Sequence, residues 1–84
     1  MSIKVLYFAS LRETLGYSHE TLTLPPTIAT LGDLRGHLAK RGGAWEALGA
    51  GRNVRMAINQ EMAGPDGVVT DRDEIAFFPP VTGG

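Results

Sequence analysis

The chain contains no cysteine. That absence removes disulfides, thiolate-ligated zinc, iron–sulfur clusters and a thiol nucleophile together. Charge of one sign is missing as well: eight Lys and Arg stand against nine Asp and Glu, for a formal net charge of -1. So balanced a surface lacks the basic stripe that a phosphate backbone selects, and no nucleic acid partner is expected. No apolar run approaches membrane-spanning length, and Met1-Ser2-Ile3-Lys4 enters a strand pattern at once, without the flanks of a signal peptide. The expected address is cytoplasmic, with no membrane partner. Size is the last shortage, since 84 residues make one domain that buries only about 60–65% of its unfolded surface and has no room for an enclosed active site.

Self-contained catalysis finds little support. His19 and His37 stand alone, with neither a second histidine at helical spacing nor a flanking glutamate, so they read as surface residues and no metal site is expected. Asp71, Asp73 and Glu74, with Arg72 between them, lack the ligand spacing and glycine of a calcium loop and read as a solvated turn. The serines and threonines show no accompanying His and Asp arrangement, which argues against a hydrolase.

What the chain does have is a sequence of short, well-punctuated elements. Ile3 to Ala9 alternates, placing Ile3, Val5 and Tyr7 on an inward face and Lys4, Leu6 and Phe8 on the other. Ser10 and Glu13 have capping-box spacing for a short helix that Gly16 ends. Thr21 to Leu24 reads as an edge strand stopped by Pro25-Pro26. Thr30 and Asp33 open the main helix, whose stripe is Leu31, Leu34, Leu38 and Ala39, whose interior Gly36 suggests close packing on the sheet, and which Gly42 and Gly43 close. Ala44 to Leu48 predicts a further helical turn with Trp45 over the end of the core, and Gly49-Ala50-Gly51 a turn without phosphate-loop spacing. Val54, Met56 and Ile58 form the inward side of a third strand; Asn59-Gln60 turns it into a very short strand around Met62. After the turn Gly64-Pro65-Asp66-Gly67 and a loop from Val69 to Asp73, Glu74 to Phe78 is the last strand, with Ile75 and Phe77 on one face and Ala76 and Phe78 on the other. The expected core is Ile3, Val5, Leu34, Leu38, Ile58, Ile75 and Phe77. This order favours an α+β domain, a mixed sheet with one main helix packed on one face.

The most informative stretch is Phe77-Phe78-Pro79-Pro80-Val81-Thr82-Gly83-Gly84. Two prolines directly after an aromatic strand cannot extend a ladder, so a domain over residues 1–78 is followed by a flexible tail over 79–84. Those residues could reach roughly 20 Å at ~3.3 Å each, and the final two carry no Cβ, which suits a narrow cleft and leaves the terminal carboxylate unshielded. This terminus, and the chain from Ile3 onward, resembles the small subunit of molybdopterin synthase, a ubiquitin-like sulfur carrier.

The resemblance implies the β-grasp fold, with the first and last strands parallel at the centre of the sheet. Leu6, Phe8 and Phe78, with Met62 nearby, would then share the helix-free face as a docking patch, Arg12 beside it as a polar anchor and Pro79, Pro80, Val81 and Thr82 as the extended approach. It further implies that Gly84 is the reactive residue, with Gly83 giving passage. An E1-like adenylyltransferase would activate the Gly84 carboxylate with ATP, a persulfide donor would convert it to a thiocarboxylate, and the synthase large subunit would receive the sulfur in a hetero-oligomer. No cofactor is expected on this chain itself. Two rivals share the Gly-Gly end: a ubiquitin-like protein modifier and a sulfur carrier for thiamine biosynthesis. The Phe-Phe-Pro-Pro-Val run favours the molybdopterin branch.

Overall fold

The computed structural model describes residues 1–49 and 51–80. Ser2–Tyr7 forms β1, and its strict alternation buries Ile3, Val5 and Tyr7 beneath the helical layer. Helix α1, Ala9–Leu15, follows directly. Its N-cap is Phe8 without any side-chain cap, so Ser10 lies inside the first turn and the expected Ser10–Glu13 box does not form. The chain reverses earlier than the serine because Ala9 takes a left-handed φ of 52°, a conformation an L-residue adopts at a cost of about 1–2 kcal/mol. At the other end Gly16 adopts the left-handed cap its position suggests, with φ 79°.

Strand β2, His19–Thr23, begins two residues before the expected Thr21 and lies at one edge of the sheet. Leu24 leaves the strand to enter the core, its N–H bonded to the Met1 carbonyl at 2.7 Å, before the prolines end the run. Helix α2, Leu31–Ala39, opens with a complete reciprocal cap: the Thr30 hydroxyl accepts from the Asp33 N–H at 3.1 Å, and Asp33 Oδ2 accepts from the Thr30 N–H at 3.1 Å. Leu31, Leu34 and Leu38 are fully buried against the sheet, while Ala39 is only half-buried. Gly36 is exposed and a Cβ there would meet nothing within 4 Å, so it marks no close packing. The close approach belongs to Gly32, where a Cβ would come 3.1 Å from the Pro65 carbonyl oxygen.

A 3₁₀ helix, Gly43–Leu48, then sets Leu48 into the core and Trp45 half-buried at its end. β3 (Arg55–Ile58) and β4 (Glu61–Ala63) form a hairpin whose two-residue turn places Asn59 and Gln60 at φ 50° and 71°. Consecutive positive φ values are what a hairpin turn matched to the strand twist demands. Within β3, Met56 is buried, whereas Val54 before it and Ile58 are half-buried. β5, Glu74–Phe78, completes the order β2-β1-β5-β3-β4. β1 and β5 pair in parallel at the centre, Lys4 opposite Glu74 through Tyr7 opposite Phe77, and the other neighbours are antiparallel. This is the β-grasp arrangement: a five-stranded mixed sheet with its helical layer on one face.

The turn before β5 is built around a carboxylate. Asp73 Oδ2 accepts from the Thr70 N–H at 2.8 Å and from the Thr70 hydroxyl at 3.0 Å, and Oδ1 accepts from the Asn59 amide at 3.0 Å. Partial burial alone would raise this carboxyl, but those donors outweigh it and hold the pKa below the usual range. Asp73 is therefore a structural acceptor rather than a solvated turn residue. Val69 beside it enters the core, which the loop-like sequence gives no sign of.

Candidate functional site

Alternation along β1, β5, β3 and β4 puts one set of side chains on the face away from the helices, and the register arranges them in rows. One row runs His19, Leu6, Ala76, Ala57, Met62 across all five strands. In the next, Phe78 lies opposite Arg55, with Phe8 held at the far side by its N–H bond to the Phe77 carbonyl at 3.1 Å. The row on the other flank pairs Thr21 and Glu74 with Lys4. The apolar content of this face is thus two aromatics and two aliphatics around a floor of two alanines.

Four of the sequence-derived contact residues share this face. Leu6 and Phe78 are half-buried, Phe8 is 44% exposed and Met62 65% exposed. Of the five exposed large apolar side chains among the described residues, two therefore lie here. Arg12 is on α1, one turn beyond Phe8, exposed and without an ion pair among the described residues. Its backbone N–H bonds to the Phe8 carbonyl at 3.3 Å, which ties the helix start to the patch. Pro79 and Pro80 follow β5 half-buried and outside any strand. Val81, Thr82, Gly83 and Gly84 lie outside the described residues, as does Ala50 of the turn after the 3₁₀ helix.

The opposite face carries a cluster that pattern reading misses. Tyr7, fully buried, donates its phenol to Glu20 Oε2 at 2.8 Å. Arg41 grips the same carboxylate with both terminal nitrogens, at 2.9 and 3.1 Å, and lies over the Trp45 ring at 4.3 Å. Trp45 meets Tyr7 edge-on with centroids 5.5 Å apart, and Tyr7 stacks on Phe77 at 6.1 Å. Burial, then the bond to Glu20, pushes the Tyr7 phenol far above its ordinary range. Burial would raise Glu20 too, but Arg41 and Tyr7 together hold it below the usual carboxylate value. The cluster braces edge strand β2 to the segment after α2, leaving the far face free. Glu20 lies on the helix side of the edge strand, opposite Val5, one residue before the expected strand start at Thr21, so no sequence signal marks it.

Arg35 performs a similar task for the loop. It donates from Nε to the Leu48 carbonyl at 2.6 Å, and from its terminal nitrogen to the Gly49 carbonyl at 3.0 Å and to the Arg52 carbonyl. Orphan carbonyls at the 3₁₀ helix end are satisfied this way. Among the described residues no group of three or more His, Asp or Glu could hold a metal, and no helix is long and apolar enough to cross a membrane. His19 is exposed, its Nδ1 3.0 Å from the Ser18 hydroxyl, and His37 is half-buried in the last turn of α2.

A central parallel strand pair, one spanning helix and an apolar helix-free face define a ubiquitin-like β-grasp protein. The chain belongs to the ThiS family, whose signature matches residues 5–84. It is 43% identical over 83 residues to the molybdopterin synthase sulfur carrier subunit of Haemophilus influenzae, covering 98% of this chain and 99% of that protein. Among solved structures it is similar to molybdopterin converting factor subunit 1 of Pyrococcus furiosus, with TM-score 0.78, 28% identity, and 96% and 99% of the two chains covered. The small archaeal modifier protein 1 of Haloferax volcanii superposes equally well, with TM-score 0.78, 27% identity, and 95% and 98% covered.

Proposed function

We propose that this chain is a sulfur carrier for molybdenum cofactor biosynthesis, the sulfur-donating small subunit of a molybdopterin synthase. The observation that carries the reading is likeness to a sulfur carrier subunit over 98% of this chain and 99% of that protein. In this reading the chemistry occurs at the tail, on partner proteins. The Gly84 carboxylate is inert to nucleophiles because oxide is a poor leaving group. An E1-like adenylyltransferase activates it with ATP, releasing pyrophosphate and leaving an acyl-adenylate. A persulfide sulfur displaces AMP, and cleavage of the resulting S–S bond by a thiol leaves a thiocarboxylate on Gly84. A thioacid is a stronger acid than its oxygen analogue and sulfur the softer nucleophile, so the end is ionised and reactive near neutral pH. It attacks the pterin precursor in the large subunit, and hydrolysis restores the carboxylate; two deliveries build the dithiolene.

In this scheme the body presents and the tail reacts. Leu6, Phe8, Met62 and Phe78 seat the large subunit on the helix-free face, and Arg12 anchors the rim. Pro79 to Thr82 keep the approach extended with little ordering entropy lost on docking. Gly83 fits the channel. The carrier acts in the cytoplasm, in a hetero-oligomer with the large subunit, and holds no cofactor of its own.

A second reading, ligation of Gly84 to lysines of target proteins, is favoured by the likeness to an archaeal modifier protein. Adenylation is common to both, so the product decides. Mass spectrometry of protein taken from cells is expected to show oxygen replaced by sulfur on Gly84; lysine adducts in its place would favour the modifier. Adding the chain to an extract that lacks the small subunit is expected to restore molybdopterin synthesis, and removal of Gly83 and Gly84 to abolish it. Failure of the intact chain to restore synthesis overturns the proposal, and would leave the thiamine branch to be tested in the same way.

A further inference from the structure

The docking face is electrically lopsided. On one flank of the Leu6–Met62 row, Lys4 lies cross-strand from Glu74, so the charges balance. The other flank, where the chain runs on from Phe78 toward the tail, has Arg55 opposite Phe78 and no acid in the row. Arg55 is exposed and makes no ion pair among the described residues, where only Arg41–Glu20 and Arg72–Asp71 are joined. It also borders an open hollow of about 380 Å³ that Met62, Gly64 and Pro65 line from the β4 side. Glycine and proline supply no side chain that could reach across to neutralise it.

We propose that Arg55 and this hollow are a specificity contact of the docking face, receiving an aspartate or glutamate side chain of the partner while its apolar surface seats on Leu6, Phe8 and Phe78. The inference rests on the reading that this face docks the synthase large subunit. Chemistry selects the occupant. An unpaired guanidinium at the edge of an apolar patch is matched by a carboxylate, and its fork geometry fixes direction as well as charge. Because Arg55 sits on the tail side only, the contact sets which way round the partner lands, with the tail pointing into it rather than away. Rim charges of this kind act mainly on encounter and orientation.

The test is association kinetics of the full chain with the purified large subunit of the same organism, at low and high salt. Arg55→Glu is expected to slow association roughly three- to tenfold at low salt, an effect that shrinks in about 1 M salt, with the neutral Arg55→Met between the two. Lys4→Glu changes charge equally on the opposite flank and is expected to stay within about twofold of the unmodified chain. Each variant exchanges an exposed side chain, and unchanged melting temperatures verify folding. Equal rates for Arg55→Glu and the unmodified chain, or equal slowing by Lys4→Glu, overturn the proposal. If the unmodified chain does not bind the large subunit, the functional reading falls first and this inference with it, a result distinct from either.

Discussion

Replacing Tyr7 by Phe isolates one hydrogen bond, because nothing else about the ring has to change. Its stacking on Phe77 and edge contact with Trp45 survive, and the only atom lost is the hydroxyl that donates to Glu20 at 2.8 Å. Hydrogen bonds to charged acceptors are worth about 1.5–3 kcal/mol, toward the low end here since Arg41 still holds Glu20 and the carboxylate retains some solvent. A loss of about 1–2 kcal/mol lowers Tm by roughly 5–15 °C in a domain of this length. Thermal unfolding by circular dichroism and urea titration measure it. The same bond gives a pH signature. Glu20 has a folded pKa below its unfolded value, so its contribution is complete above about pH 5 and disappears as pH falls through the folded value. Tyr7 is raised, so its contribution is complete below about pH 10 and is lost only on further alkalinisation. The Phe variant is therefore expected to lose the Tyr7 part of the alkaline limb above about pH 10, while Glu20→Gln makes the acid limb below about pH 5 shallower, Asp73 still contributing to it. A Tyr7→Phe protein within about 0.5 kcal/mol of the parent, with an unchanged alkaline limb, would refute the assignment of this bond as a brace.

Three further outcomes follow from backbone geometry. Gly36→Ala points into open space on a helix and is expected to stabilise by about 0.5–1 kcal/mol in denaturant titration, whereas Gly32→Ala, meeting the Pro65 oxygen, gains less or nothing. Gln60→Gly relieves a positive φ of 71° and creates Asn-Gly at a hairpin turn, so unfolding midpoints should rise by the equivalent of about 1 kcal/mol. Thr30→Ala removes one half of the cap on α2 and is expected to cost about 1 kcal/mol, seen also as faster amide exchange in its first turn.

Legibility in the sequence followed how local each feature is. The alternation of β1 and β5 and the Thr30–Asp33 cap depend on residues a few positions apart, and they form as their spacing suggests. Leu6, Phe8, Met62 and Phe78 came together because strand parity, once the parallel pairing is granted, decides the face. Ser10 misled because a strained Ala9 starts the helix sooner than its spacing implies. Gly36 misled because propensity cannot say which side of a helix a glycine occupies; Gly32, four residues earlier, meets Pro65 across a distance the sequence does not encode. Tyr7, Glu20, Arg41 and Trp45 span three elements, and no periodicity announces their meeting. Nothing in its own segment sets Arg55 apart; its place beside the apolar patch comes from pairing opposite Phe78.

The strand adjoining the tail is also the keystone of the sheet. Residues 74–78 leave the ribosome after every segment they join, and they bridge β1 to β3, which until then have no common neighbour. A nascent or cleaved chain lacking them would leave two disconnected half-sheets. Closure of the sheet is thus a late event, and a polypeptide stopped short of residues 74–78 lacks both the central strand and the Phe78 side of the apolar face.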